Sequence, residues 1–211
     1  MRRNVRFPTG LSLPAGLVIA LLPGLALAHH VIGGRMPANL TEGLLSGLGH
    51  PIIGLDHFIA IIAVGLLAAM AGRPLLPPLA FVAASVGGAA LHVAAIGLPL
   101  VELLIGATLL ALAVLLWTRH SLWAAPMLAL FALAGLLHGY AYGESIVGAE
   151  PTPLVAYFAG FAAIQFAIAL AAAMTVQVLR RWRPASLDGL QRLAGLATGA
   201  AGLASLAIAI A

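Results

Sequence analysis

The chain contains no cysteine and no lysine, and only 8% of its residues carry a formal charge. The missing cysteine excludes a disulfide framework, a thiolate metal site and a dithiol redox pair. It also argues against a copper(I) site, which prefers soft sulfur. The five methionines do not compensate, because only Met127 and Met174 fall deep inside apolar runs. The missing lysine excludes a Gly-x-x-x-x-Gly-Lys phosphate loop. Any transport by this chain must therefore draw on a gradient rather than on its own ATP hydrolysis. The low charge excludes an ordinary soluble domain, in which about a quarter of the residues are charged.

What is present is apolar. Of 211 residues, 63% are hydrophobic, and the mean hydropathy is +1.11. The length is that of one domain, and its core is expected to be a helix bundle in lipid. A net charge of +4 and a pI near 10.7 would suit nucleic acid, but the positive charge is ten arginines spread over loops and the ends of apolar runs. The lipid bilayer is the expected partner and nucleic acid is not. Homo-oligomerisation is left open.

Residues 1–28 read as a secretory signal. Arg2, Arg3 and Arg6 form a basic start, Leu11 to Leu22 an apolar stretch, and Pro23-Gly24 breaks it. Ala26-Leu27-Ala28 then supplies the small-x-small cleavage pattern. Cleavage after Ala28 would expose His29-His30 as the mature N-terminus, leaving residues 29–211 as one transmembrane domain. Asn39 or Thr41 can cap a helix that leads toward Gly47, Gly49 and Pro51. These three residues are expected to divide an interfacial piece from the first span, with Pro51 in a first helical position. That span ends at Met70. Further spans are expected at about 75–97, 101–117, 122–141, 153–179 and 190–211. The fold class is thus all-α, a polytopic bundle of six transmembrane helices after a cleavable signal peptide. Loops are short, so sequence neighbours are expected to pack as antiparallel neighbours.

Charge gives the orientation. With the mature N-terminus outside, inner loops carry Arg73, Arg119, Arg180, Arg181, Arg183 and Arg192. Outer loops carry no arginine after Arg35, and they hold Glu144 and Glu150. This obeys the positive-inside rule and predicts a multi-pass protein of the bacterial cytoplasmic (inner) membrane with a periplasmic N-terminus.

Within that topology the ionisable residues of the spans gather in the outer half. His50, Asp56 and His57 sit at the head of the first span, His92 near the outer end of the second, Glu102 at the start of the third, and His138 near the outer end of the fourth, followed by Glu144. An ionisable group in a span costs roughly 2.5–3.5 kcal/mol on insertion scales and marks a functional site by default. Imidazole and carboxylate together suit nickel, cobalt, zinc or copper(II). In a regular helix His50 and His57 would lie about 10 Å apart along the axis. Either a break near Pro51–Gly54 folds His50 back, or there are two stations. Asp56 and His57 point about 100° apart, so one can face the pore while the other supports it. Blander roles exist for His92, as an interhelical hydrogen bond, for Glu102, as an interfacial acid favoured by the helix dipole, and for Gln165, as an interhelical hydrogen bond. His120 belongs to an inner loop.

At His50-Pro51-Ile52-Ile53-Gly54-Leu55-Asp56-His57 the chain resembles the HupE/UreJ family, membrane accessory proteins of nickel hydrogenases and ureases. The resemblance extends over the mature chain: six spans, a histidine-led N-terminus at His29, an acid opening the third span, and His138-Gly139-Tyr140-Ala141 ending the fourth. It implies a secondary permease importing Ni²⁺, in some branches Co²⁺, for metalloenzyme maturation. The ion is cargo, with no cofactor bound permanently. His50, Asp56, His57, Glu102 and His138 would be the residues that matter, with Glu144, His92 and His29 as further metal candidates. The chain departs from the family's fourth-span pattern, F-H-G-x-A-H-G-x-E. Leu137 precedes the first histidine, Tyr142 replaces the second, and Ser145 stands where the acid would fall. Glu144 comes one residue early. Two rival classes remain: an intramembrane zinc hydrolase, with histidines and an aspartate activating water, and a metal-binding assembly factor that moves no ion.

Overall fold

A computed structural model describes residues 35–211. The described residues form helices and no strands: α1 Leu40–Ile53, α2 Leu55–Met70, α3 Leu76–Val93, α4 Val101–Thr118, α5 Ala124–Gly143, α6 Pro151–Trp182 and α7 Ser186–Ala209. A single 3-10 turn, Glu144–Ile146, follows α5. Five of the helices are each long and apolar enough to cross a membrane. α1 and α2 pass the same test only together, and they are bent by 81° at their junction. The first expected span is thus replaced by a bent helix pair. The signal peptide and His29 lie outside the described residues.

The start of α1 follows from its sequence. Asn39 caps it, its Oδ1 accepting from Glu42 N at 2.9 Å, while the Glu42 carboxylate accepts from Ala38 N at 2.9 Å. These reciprocal bonds satisfy donors that a helix start leaves open. The break falls at Gly54, within the Pro51–Gly54 stretch where the sequence allowed one, and not at Gly47, Gly49 or Pro51. Gly47, Gly49 and Pro51 are all helical, and Pro51 lies near the C-terminal end of α1 rather than opening a span. The helix stops at Gly54, whose N–H donates to His50 O at 3.2 Å and whose carbonyl accepts from Phe58 N at 2.8 Å. Gly54 therefore closes α1 and opens α2. Proline removes a hydrogen bond to the residue four back, and this loss is tolerated in the last turn, just before the chain turns.

Helix partners also differ from the expectation. The most extensive packing joins α3 to α5, α4 to α7, and the α1–α2 pair to α6, while sequence neighbours touch much less. Glycines explain the choice. The backbone of α3 comes so close to Gly135 and Gly139 that a Cβ there would collide with the carbonyls of Phe81 and Ser85. Small residues permit such approach in membrane bundles, where packing rather than hydrophobicity joins helices. The matched positions make α3 and α5 parallel, and Gly47 against Tyr157 with Gly65 against Ala169 shows that the α1–α2 pair follows α6 in the same chain direction. A short loop forces reversal of direction, but it does not force contact.

The two ends of the bundle differ in charge. At one end Arg180 donates to the carbonyls of Ala69 and Met70, at 3.1 and 2.9 Å, satisfying acceptors that close α2. There too Arg119 pairs with Asp188 at 3.0 Å, and Arg73 follows α2. Glu42, Glu102, Glu144 and Glu150 lie at the opposite end. The largest buried apolar cluster, including Val64, Leu67, Phe81, Phe131, Ala134, Ala169 and Ala173, fills the middle and the arginine-bearing side.

Candidate metal site

The bend at Gly54 creates the site. It turns His50, in the last turns of α1, and His57, in the first turn of α2, toward one aromatic ring. His50 meets the edge of Tyr142 at 4.9 Å between ring centroids, and His57 meets the same ring at 4.4 Å. The two imidazoles therefore lie on either side of a break rather than along one regular helix.

His50 is buried on a bed of hydroxyls. Its Nδ1 lies 2.8 Å from Tyr157 Oη and 2.9 Å from Ser145 Oγ. Both hydroxyls also reach the carbonyl of Tyr142, at 3.0 and 3.1 Å. The two hydroxyls also lie 3.1 Å from each other, so His50 Nδ1, both hydroxyls and the Tyr142 carbonyl form one hydrogen-bonded cluster.

His57 is buried as well, with its Nδ1 2.8 Å from Asp56 Oδ1. The contact is short yet not aligned as an N–H···O hydrogen bond, since adjacent residues of one helical turn cannot place a carboxylate squarely on the ring. It is an electrostatic contact between the carboxylate and the ring. On its other side His57 meets His138, ring centroids 5.2 Å apart. His138 is fully buried, and its Nδ1 lies 2.9 Å from Ala134 O. A carbonyl only accepts, so Nδ1 carries the proton and Nε2 the lone pair. That Nε2 and the hydroxyl of Tyr142 are buried without a hydrogen-bond partner among the described residues. A backbone carbonyl or carboxylate behind one imidazole nitrogen, with a lone pair on the other, is the usual preparation of a histidine ligand.

His50, Asp56, His57 and His138 are thus brought together around Tyr142. Among the described residues no three His, Asp or Glu side chains are grouped so that they could hold one metal ion. The remaining candidates are elsewhere. His92 is half-buried, its Nδ1 donating to Tyr140 O at 2.8 Å and its ring lying 4.4 Å from that of Tyr140. Glu102 is exposed in the first turn of α4, and Glu144 is exposed in the 3-10 turn. Glu144 does not move into the place of the acid. Ser145 holds that place and faces His50. Sequence reasoning registered Tyr142 and Ser145 only as departures from a pattern. It missed Tyr157 altogether, because nothing local marks one tyrosine in a long apolar helix.

The family model described as HupE / UreJ protein matches residues 17–205. Among curated proteins, Protein HupE of Rhizobium leguminosarum bv. viciae is 34% identical over 151 residues, covering 70% of this chain and 73% of that protein. No solved structure matches the chain. A family match running almost the whole length, together with a relative 34% identical over most of both chains, places this chain in the HupE/UreJ family of membrane metal-transport and accessory proteins rather than among enzymes.

Proposed function

We propose that the protein is a secondary permease importing Ni²⁺ or Co²⁺ across the bacterial cytoplasmic membrane for metalloenzyme maturation. The observation that carries this reading is the buried His57–His138 pair, with Asp56 beside it, at a bend in a broken helix. Charged and polar groups at such depth demand partners. A divalent ion would take the lone pair that Ala134 O prepares on His138, and Asp56 would offset its charge. His50, held by Tyr157 and Ser145, stands beside them as the outward contact. The arginines gathered at the other end support an outward-facing site by the positive-inside rule.

The membrane potential is a sufficient drive. It supplies about 2.3 kcal/mol per charge per 100 mV, hence about 4.6 kcal/mol for a divalent ion. At about 1.4 kcal/mol per decade this is more than a thousandfold accumulation. The experiment is uptake of radioactive nickel or cobalt by proteoliposomes, with and without an inside-negative potential. A permease gives potential-dependent accumulation within the vesicle. Stoichiometric binding that ignores the potential would instead identify a metal-holding assembly factor.

A further inference from the structure

At the arginine-bearing end the helices do not close on one another. A cavity of about 200 Å³ remains between the ends of α2, α4 and α6 and the starts of α5 and α7. At roughly 30 Å³ per molecule of liquid water, that is room for about six waters. Leu67 and Met127, both buried, form part of its apolar lining. Arg119, His120, Ser121, Arg180 and Gln191 supply the polar part. Arginines on the inner side are ordinary under the positive-inside rule, and a gap of this size can simply hold water. Two features go beyond that.

The first is charge without compensation. This end carries Arg73, Arg119, Arg180, Arg181, Arg183 and Arg192, whereas Asp188 is the one acid among residues 71–75, 118–123 and 180–192. Asp188 engages Arg119 at 3.0 Å, but both side chains are exposed, where an ion pair is weak. Arg180 pairs with no carboxylate among the described residues. Its Nη1 and Nη2 serve the carbonyls of Ala69 and Met70, which accept hydrogen bonds without neutralising the charge. A guanidinium carries five N–H donors, so both arginines retain donors for a further acceptor.

The second feature is depth. All three tryptophans of the chain stand at this end: Trp117 in the last turn of α4, Trp123 just before α5, and Trp182 closing α6. Each is exposed, and Arg181 Cζ lies 5.3 Å from the ring centroid of Trp182. Tryptophan collects at the boundary between hydrocarbon and headgroups. Arg119 and Arg180 each stand two residues from a tryptophan, so the cavity lies at the level of the lipid phosphates.

We propose that the cavity seats the headgroup of one anionic phospholipid from the cytoplasmic leaflet, with Arg119 and Arg180 on its phosphate and Ser121 and Gln191 offering hydrogen bonds to the rest of the headgroup. Basic pockets between membrane helices on that side hold such headgroups, and the planar guanidinium matches phosphate oxygens in pairs. A zwitterionic headgroup would bring its own cation toward the two arginines, so a net negative lipid is preferred. Because the lining comes from α2, α4, α5, α6 and α7, the lipid fastens the inner ends of these helices together.

The test uses full-length protein in a neutral detergent, titrated with phosphatidylglycerol, phosphatidylcholine or glycerol phosphate. Native mass spectrometry counts the bound molecules, and thermal unfolding reports stabilisation. Phosphatidylglycerol is expected to bind saturably at one molecule per chain, at least tenfold more tightly than phosphatidylcholine, and to raise the unfolding midpoint. Arg119→Gln and Arg180→Gln should each weaken it at least fivefold, while Arg73→Gln and Arg192→Gln, outside the cavity, stay within twofold. Ala71→Leu fills the cavity without changing charge, since Ala71 is part of its lining, and should weaken binding as much. Should Arg180→Gln fail to fold for want of its carbonyl contacts, Arg119→Gln and Ala71→Leu decide. Equal weakening by all four arginine variants, or binding that does not saturate, means diffuse surface attraction and overturns the seat. Glycerol phosphate bound as tightly as the lipid, with the same dependence on Arg119 and Arg180, overturns the lipid as its occupant.

Discussion

Asp56 is the carboxylate that lies against a buried imidazole, and its environment leaves little room for substitution. Asp56→Asn keeps the shape, removes the charge and lightens the desolvation burden of the span. The variant should insert and accumulate normally yet lose at least nine-tenths of its nickel uptake, measured in cells lacking other importers alongside its membrane level. Near-normal uptake would remove Asp56 from the site. Glu144 offers the contrast, being exposed in the turn after α5. Glu144→Gln should leave uptake within twofold of wild type. A loss as deep as that of Asp56→Asn would mean that this turn rearranges to bring the acid inward.

At the scale of the element, the parallel contact of α3 with α5 depends on glycine. Gly139→Val would drive a branched side chain into the backbone of Ser85, and overpacking of this kind typically costs about 1–3 kcal/mol. Thermal unfolding in detergent should fall by several degrees, and nickel uptake should fall with it because His138 is the preceding residue. Gly87 on the same helix as Ser85 faces open space, and Gly87→Ala should leave the midpoint unchanged or raise it, since alanine favours a helix by up to about 1 kcal/mol over glycine. Equal losses in both variants would show that helix propensity, not close approach, governs this pair.

For the whole molecule, the segregation of charge makes a topological prediction. A reporter fused after Arg183 should lie in the cytoplasm, and one inserted within 146–150 should lie in the periplasm. The reverse pattern would turn the histidine site toward the cytoplasm and make its ion an exported one. N-terminal sequencing of the membrane-purified protein should begin at His29, and Met1 as the major start would replace the cleaved signal with a further span.

Apolar runs and their interruptions were enough to place five helices within a few residues, because a lipid solvent demands long continuous helices and leaves local hydropathy little competition. The His-Pro-x-x-Gly-x-Asp-His stretch likewise announced its own importance, since ionisable residues are expensive in a span wherever they fall. The bend was legible only as one of several alternatives. Proline and three glycines offered several local break points, and Gly54 became the break in a structure where Gly47 packs against Tyr157 while Gly65 meets Ala169. The grouping of the site was not legible. His50 and His57 converge on Tyr142 only after an 81° turn, and Tyr157 and Ser145 reach His50 across 107 and 95 residues of chain. The covalent order thus determined which segments are helices and which residues are too polar for their surroundings. Which helices touch, and which polar groups therefore meet, was decided by close backbone approach at glycines far apart in sequence.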